Sequence, residues 1–332
     1  MQLRSYWYIA CPSSQLGGSP RAVRVLDLDL VVFRDGDGRP RALADRCCHR
    51  GVKLSLGRVT GGQIACGYHG WRFDGRGACA HIPSLREGQR IPAGCAVPSF
   101  PCEEQDGYVW VWPGSGEEPP SPPPAIADFD RSRWVQGTIP MACDSMRALE
   151  NNLDWCHPAF AHPWTHGQFY LAMLLGVRQQ HIRMAATPDG LVVQGPVTEA
   201  GEPLEGRTSS VTLTFRLPCR ADVEGPGSRR IVMHFVPTGP ESCRIEWLST
   251  SRAPLGPRVR WVAKEPAIFR QDRVLLESAT PAYAAAETWS ERSVEADAPT
   301  LLLRRIVGWA ARGEWDERRA SQHGSRVLEV RS

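Results

Sequence analysis

Two short stretches decide how this chain reads: Cys47-Cys48-His49-Arg50-Gly51 and Cys66-Gly67-Tyr68-His69-Gly70-Trp71, with sixteen residues between His49 and Cys66. Each offers a thiolate and an imidazole. Two Cys and two His from two loops can hold a single tetrahedral zinc. The same set can hold a [2Fe–2S] cluster, with two Cys on one iron and two His on the other. Zinc would mean structure, whereas a cluster would mean electrons.

Outward from these pairs the chain is β-rich. Arg24-Val25-Leu26, Leu30-Val31-Val32-Phe33 and Tyr108-Val109-Trp110-Val111-Trp112 are strand-like runs. Asp35-Gly36-Asp37-Gly38 is a hairpin signal, and Asp74-Gly75 with Arg76-Gly77 marks a second turn. The ligand pairs therefore fall on loop tips, where Gly51, Gly67 and Gly70 let backbone approach an inorganic group. Trp71 reads equally as core or as a lid over that group.

Residues 114–124 carry five Pro in their last six positions and no apolar periodicity. This predicts a semi-rigid linker over 114–125 between an all-β domain at 1–113 and a second domain at 126–332.

The second domain holds another constellation, Glu150-Asn151-Asn152-Leu153-Asp154-Trp155-Cys156-His157-Pro158-Ala159-Phe160-Ala161-His162. On a straight helix His157 and His162 would point about 140° apart. Pro158 disfavours helix at His157 and predicts a bend there, bringing the two rings together. The alternative is two surface or structural histidines. Further on, Glu265–Ala279 reads as an amphipathic helix with Ile268, Asp272, Leu275, Leu276 and Ala279 on one face and Arg270, Arg273 and Glu277 elsewhere. Asp272 in an apolar stripe is costly unless paired with Arg or bound to a metal. Two His and one carboxylate with open positions suit non-haem Fe(II).

These motifs resemble the Rieske non-haem iron oxygenases, in the α subunit of the single-component-oxygenase type exemplified by vanillate demethylase, phthalate oxygenase and dicamba monooxygenase. The likeness rests on the C-x-H and C-x-x-H pairs, the His69-Gly70-Trp71 tail, the E-N-x-x-D-x-x-H-x4-H pattern from Glu150, and Gln271-Asp272-Arg273-Val274-Leu275-Leu276-Glu277. Ser293–Asp297 and Arg304-Arg305-Ile306 extend it toward the C-terminus. The family usually has Pro between the first Cys and His, where this chain has Cys48. Cys47 restores the C-x-H spacing and is taken as the ligand. The resemblance implies an α+β chain: an all-β Rieske domain, then a helix-grip domain of antiparallel sheet and long C-terminal helix. It implies Cys47, His49, Cys66 and His69 on the [2Fe–2S] cluster, and His157, His162 and Asp272 on mononuclear Fe(II). It further implies that Asp154 bridges His69 of one chain and His157 of its neighbour in a homotrimer. Phe215, Met233, His234 and Trp247, on alternating strands, are candidate pocket residues.

The chain has no G-x-G-x-x-G after a strand. Electrons would come from a partner ferredoxin or flavin reductase, ultimately NAD(P)H, with O2 as co-substrate. The expected reaction is hydroxylation or demethylation of a small aromatic or heterocyclic molecule. Tailoring of a non-aromatic natural product is the alternative within the class. A small electron carrier leaves the long second domain unexplained, and a zinc-stabilised binding protein would be colourless. The net charge of +3, scattered along 332 residues, argues against nucleic-acid or anionic-membrane partners. An odd number of Cys, eleven, in a long chain with no apolar leader segment is the pattern of a cytoplasmic protein. Cys143, Cys219 and Cys243 read as core or strand residues.

Overall fold

The computed structural model describes residues 3–114, 118–126, 130, 133–162, 179–202, 211–225, 229–250, 267–285, 289–322 and 324–331. The chain divides into two compact units, Arg4–Arg131 and Ser132–Ser332 with Met1–Leu3.

The first unit is built from three antiparallel sheets. Strands β1 (Tyr8–Pro12), β2 (Arg21–Val25), β3 (Leu28–Arg34) and β4 (Pro40–Ala44) lead into β5 (Arg58–Thr60), β6 (Gln63–Ala65), β7 (Arg72–Phe73) and β8 (Cys79–His81). Strands β9 (Ser99–Phe100), β10 (Cys102–Gln105) and β11 (Tyr108–Val111) complete it. The sheets run β1-β11-β10, β2-β3-β4-β9 and β5-β6-β7-β8. The Asp35–Gly38 hairpin joins β3 to β4, closed by Asp35 N–H donating to Arg39 O at 2.9 Å. Asp74 closes the next turn, its Oδ1 accepting from Arg76 N at 2.8 Å and Ala78 N at 3.0 Å. Leu26, read from the sequence as strand, sits instead in the β2–β3 turn with φ 58°. Val31, Phe33, Leu43, Leu54, Ile64, Phe73 and Val97 form a closed core that includes Cys47 and Cys66.

The expected boundary at 125/126 shifts to 131/132, because the Pro-rich stretch is tied to the first unit. Trp7 Nε1 donates to Ser121 O at 2.8 Å, and Ile126, itself buried, donates its N–H to Asp106 Oδ2 at 2.6 Å. Residues 115–117 of the expected linker lie outside the described residues.

The second unit is one eight-stranded antiparallel sheet with helices. Its strands are β12 (Trp134–Met141), β13 (Gln179–Thr187), β14 (Gly190–Val197), β15 (Val211–Arg216), β16 (Arg220–Gly225), β17 (Arg229–Gly239), β18 (Ser242–Thr250) and β19 (Ser325–Arg331). Strands β13 to β18 form a meander, with β12 added outside β18 and β19 outside β13. The register aligns Leu191, Phe215, Ala221, Met233, Trp247 and Gly137 in one row across the sheet. The adjacent row carries Arg216, Arg220, His234, Glu246 and Thr138. Successive residues of a strand face opposite ways, so the two rows lie on opposite faces. Trp247 meets Phe269 of the long helix, ring centroids 6.0 Å apart, so the first row faces that helix.

Among the described residues, five helices accompany the sheet: α1 (Ser145–Asn151), α2 (His157–Ala161), α3 (Ala267–Ala284), α4 (Ala298–Ala311) and α5 (Trp315–Ser321). Asp144 caps α1, accepting from Met146 N at 2.9 Å. Helix α3 is the expected amphipathic helix, though Glu265 and Pro266 fall outside the described residues. Its inward face is rotated from the expected one. Phe269 and Asp272 are buried and Leu275 is 53% exposed. Glu277, expected on the polar side, turns to accept from Ala142 N at 2.8 Å. The sequence pattern gave Leu275 weight for its apolarity alone, whereas Phe269 has the bulk that fills the space beside Trp247. No helix among the described residues is long and apolar enough to cross a membrane.

Candidate metal centres

The two ligand loops of the first unit are near copies of each other. Cys47 N–H donates to Val52 O at 2.8 Å and Cys66 N–H to Trp71 O at 2.9 Å, each spanning five residues. Gly51 N–H returns to Cys47 O at 2.9 Å and Gly70 N–H to Cys66 O at 3.0 Å. Both glycines have φ 70°, the left-handed conformation that closes each tip and that other residues adopt at a cost. In this correspondence Cys47 is the counterpart of Cys66. Both are buried, while Cys48 is turned out to the surface. The two buried thiols interact directly, and burial together with Cys66 pushes the Cys47 thiol up to about 11. A protonated pair in an apolar core is a poor ion site, yet two thiols so placed would both be thiolates on a metal.

His49 and His69 lie on the exposed side of this pair, ring centroids 4.7 Å apart. Trp71 stacks on His49 at 4.5 Å with 3° between the rings, and Tyr68 meets His69 at 3.8 Å. Half-buried, Trp71 thus reaches from the core to one ligand candidate. Asp45, which sequence reasoning passed over, is buried beside the first loop. Its carboxylate accepts from Ser55 N at 2.7 Å and Ser55 Oγ at 2.6 Å, pinning the Leu54–Leu56 turn. Two sulfurs inward and two imidazoles outward is a donor set that fits a cluster with unlike irons.

In the second unit His157, His162 and Asp272 come together, one ligand atom of each within 4.8 Å of the others. Nε2 of His162 lies 2.9 Å and Nε2 of His157 3.6 Å from Asp272 Oδ1. Pro158 acts differently from expectation. The break falls before His157, over residues 152–156, and Pro158 sits in the first turn of α2, where its missing N–H costs nothing. His157 opens that helix and His162 follows its last residue, which brings the ring centroids to 5.3 Å.

The far sides of both rings are fixed. His157 Nδ1 is 2.9 Å from the backbone oxygen of Asp154, and His162 Nδ1 is 3.0 Å from Gln271 Oε1. Each oxygen only accepts, so each Nδ1 carries a proton and, in the neutral ring, Nε2 is the nitrogen left for a metal on the side of Asp272. Burial lowers the His157 pKa against the pull of Asp154 and Asp272. Burial also opposes protonation of His162, but the bonds to Asp272 and Gln271 outweigh it and raise that pKa. Asp272 Oδ1 is buried without a well-aligned hydrogen bond. Two imidazole nitrogens and a buried carboxylate oxygen brought to one place fit a two-His, one-carboxylate metal site. The sequence assigns Gln271 no role of its own; its one signal is adjacency to Asp272.

Asp154 uses its carboxylate on its own turn, Oδ1 accepting from Cys156 N at 2.8 Å and His157 N at 3.2 Å. Of the pocket candidates, Phe215, Met233 and Trp247 share the row that faces α3. His234 does not join them. It lies on the opposite face between Arg220 and Glu246, buried, with its pKa lowered to about 3 by burial and then by Arg220. A one-residue step along β17 sends its side chain to the other side of the sheet.

The first unit thus carries a Cys2His2 set on paired loops, and the helices of the second bring two His and one Asp together. Residues 6–101 match the model of the Rieske [2Fe-2S] domain family. The chain is 37% identical over 169 residues to chlorophyllide a oxygenase of Chlamydomonas reinhardtii, covering 49% of this chain and 25% of that protein. It is 36% identical over 165 residues to the oxygenase component of dicamba O-demethylase of Stenotrophomonas maltophilia, covering 48% of each. Against the vanillate O-demethylase oxygenase subunit of a Pseudomonas species, identity is 32% over 171 residues, covering 50% of this chain and 46% of that one. The chain thus spans about half the length of these curated relatives or less. Whole-chain likeness comes from solved structures. Dicamba monooxygenase bound to dicamba superimposes with TM-score 0.71 at 24% identity, covering 94% of this chain and 98% of that one. A variant of NdmA from Pseudomonas putida CBB5 with theobromine gives 0.74 at 24% identity, covering 99% and 98%. At that identity these two likenesses establish the fold.

Proposed function

We propose that this chain is the oxygenase component of a Rieske system, using O2 to hydroxylate or demethylate a small aromatic or heterocyclic molecule. The observation that carries the reading is the convergence of His157, His162 and Asp272 in a chain that also carries a Rieske domain. Cys47, His49, Cys66 and His69 would hold the [2Fe–2S] cluster, and His157, His162 and Asp272 the mononuclear Fe(II). Bound there, the cluster would supply electrons one at a time and the iron would supply the chemistry of O2 activation.

The chain's own groups orient and exclude. Gln271 and the Asp154 carbonyl hold the two imidazoles in the tautomer that frees Nε2. Phe215, Met233 and Trp247 form an apolar, water-excluding face toward α3 and are the pocket wall in this reading. His234 is left out of it. The relatives named for vanillate, dicamba and methylxanthine demethylation support an aromatic or heterocyclic substrate class.

Electrons would arrive from a separate ferredoxin or flavin reductase and ultimately from NAD(P)H. The working assembly would be a cytoplasmic homotrimer in which Asp154 links His157 to His69 of a neighbouring chain. Asp154→Asn tests that link, as set out in the Discussion, and light scattering of the active protein tests the trimer. The site itself is tested by Asp272→Ala. The variant should lose the iron held beyond the cluster, and all turnover, while keeping the visible cluster bands. Full iron content in Asp272→Ala would move the carboxylate ligand elsewhere. Product analysis with reductant and a panel of methoxylated and N-methylated aromatics identifies the substrate.

A further inference from the structure

All eleven cysteines are free thiols, and three of them lie on one flank of the first unit outside the ligand set: Cys48, Cys79 and Cys95. The backbone seats two of these face to face. Ala78 and Ala96 form an isolated antiparallel bridge. On either side of it Cys79 N–H donates to Cys95 O at 3.0 Å and Val97 N–H to Gly77 O at 2.9 Å. One step along this register, Cys79 is directly opposite Cys95. Directly opposed residues of an antiparallel pair put their side chains on the same face, with Cα atoms about 4.5–5.5 Å apart. That separation falls within the range of about 4.4–6.8 Å that a disulfide bridges. Both residues are partly exposed.

The sulfurs also sense one another. After burial, the groups that raise the Cys79 thiol are Cys48 and Cys95. Cys79 packs against the core that contains Cys47 and Cys66. Nothing in the proposed oxygenase reading uses these thiols. Neither Cys79 nor Cys95 has a place in either metal set.

We propose that Cys79 and Cys95 are a reversible dithiol–disulfide pair, oxidised by a low-molecular-weight disulfide such as glutathione disulfide. One protein thiolate attacks the oxidant, forming a mixed disulfide and releasing one thiolate. The second protein thiolate then attacks the protein sulfur of that mixed disulfide and releases the other half. Two protein thiols become one disulfide, and one molecule of glutathione disulfide becomes two of glutathione, the two protons going with them. The bond ties β8 to the segment around Ala96, on the wall of the core that holds the buried ligand thiols.

The test uses the purified, cluster-loaded chain exposed to glutathione disulfide. Remaining thiols are alkylated under acid quench and the disulfides mapped by mass spectrometry. The expected result is a Cys79–Cys95 cross-link, two fewer alkylatable thiols per chain, reversal by dithiothreitol, and visible cluster bands of unchanged height. Cys48→Ser should form the link to the same extent, and Cys95→Ser should form none. Three results overturn the proposal: Cys79 and Cys95 both fully alkylated after exposure, a link that runs from Cys48 instead, or bleaching of the visible bands in step with thiol loss. The last would mean that the oxidised sulfurs are the ligands. A chain that never shows the bands would count against the Rieske reading and still report whether the link forms.

Discussion

Nδ1 of His162 lies 3.0 Å from Oε1 of Gln271, the residue immediately before Asp272 on α3. One helix therefore supplies the carboxylate and also the group that aims an imidazole at it. Gln271→Leu removes the acceptor and lets the ring rotate or change tautomer. Iron affinity of the mononuclear site should fall by about 10- to 100-fold, with Asp272 and both His in place. Titration of the iron-stripped protein with Fe(II), followed by metal analysis, measures it. Unchanged affinity would mean that packing alone fixes the ring.

The near identity of the two ligand loops makes a sharp prediction about the adjacent cysteines. Cys47→Ala should abolish the visible absorption and the rhombic EPR signal of the reduced protein. Cys48→Ala should leave both, since that thiol is turned to the surface while Cys47 sits against Cys66. The opposite outcome would reassign the ligand.

Much of this was legible in the sequence, for reasons that differ by element. The C-x-H and C-x-x-H pairs are local, and so are the Asp35–Gly38 and Asp74–Gly77 turns, where residue type alone dictates backbone. His157 and His162 are legible as a pair, but the sequence places the interruption at His157 itself, where the structure instead starts a new helix, because proline permits a helix to begin as readily as it forbids one to continue. Helix α3 was legible as amphipathic. Its facing was not, since the choice between Leu275 and Phe269 depends on what the sheet offers opposite, and Trp247 lies 22 residues before Phe269. His234 failed for a like reason: alternation tells that neighbours differ in facing, not which of them faces the helix. The roles of Gln271 and Asp45 needed the partner side chains in place.

Glu150 is buried at the end of α1 and holds Arg304 of α4, with Arg304 Nη2 at 2.6 Å from its Oε2. The same residue's carbonyl accepts from Asp154 N at 3.0 Å, so the pair braces the turn that leads into His157. Arg304→Met strands a buried carboxylate. The loss should be about 2–3 kcal/mol, below the ~3–5 of a fully buried pair because Arg304 stays a third exposed. Urea unfolding of both proteins measures it. An unchanged midpoint would show that the buried Glu150 carboxyl does not depend on Arg304 for its stability.

Asp222 is buried among Arg220, Arg216 and Arg230. Burial raises its pKa, but the bond and charge of Arg220, followed by the other two, outweigh this and lower it. A lowered carboxylate stabilises the fold above its unfolded pKa, and that contribution disappears as pH falls through the folded value. Asp222→Asn should therefore be less stable than wild type at neutral pH, with the two curves converging below about pH 4. Curves that stay parallel well below that pH would remove Asp222 from the acid transition.

Asp154→Asn keeps the oxygen that accepts from Cys156 N and His157 N, so the turn should survive. What it removes is the charge that would orient an imidazole arriving from a neighbouring chain. Both metals and the assembly should remain, while reoxidation of the pre-reduced cluster by substrate and O2 slows by about 10- to 100-fold or more. Single-turnover absorbance decay reads this directly. A wild-type rate with coupled product would remove Asp154 from the path, and so would an active wild-type monomer.

The two ligand loops hide their sulfurs and show their imidazoles, and His49 and His69 share one tip flanked by Leu56 and Tyr68, 73% and 60% exposed. On the proposed reading that tip is a single doorway. A reductase docking there covers the same rings through which the charge must leave. Loading and discharge then have to take turns, and a reductase that binds too tightly becomes an inhibitor of the reaction it feeds. Turnover should rise and then fall as reductase is added, and bulk at Leu56 or Tyr68 should shift the position of that maximum.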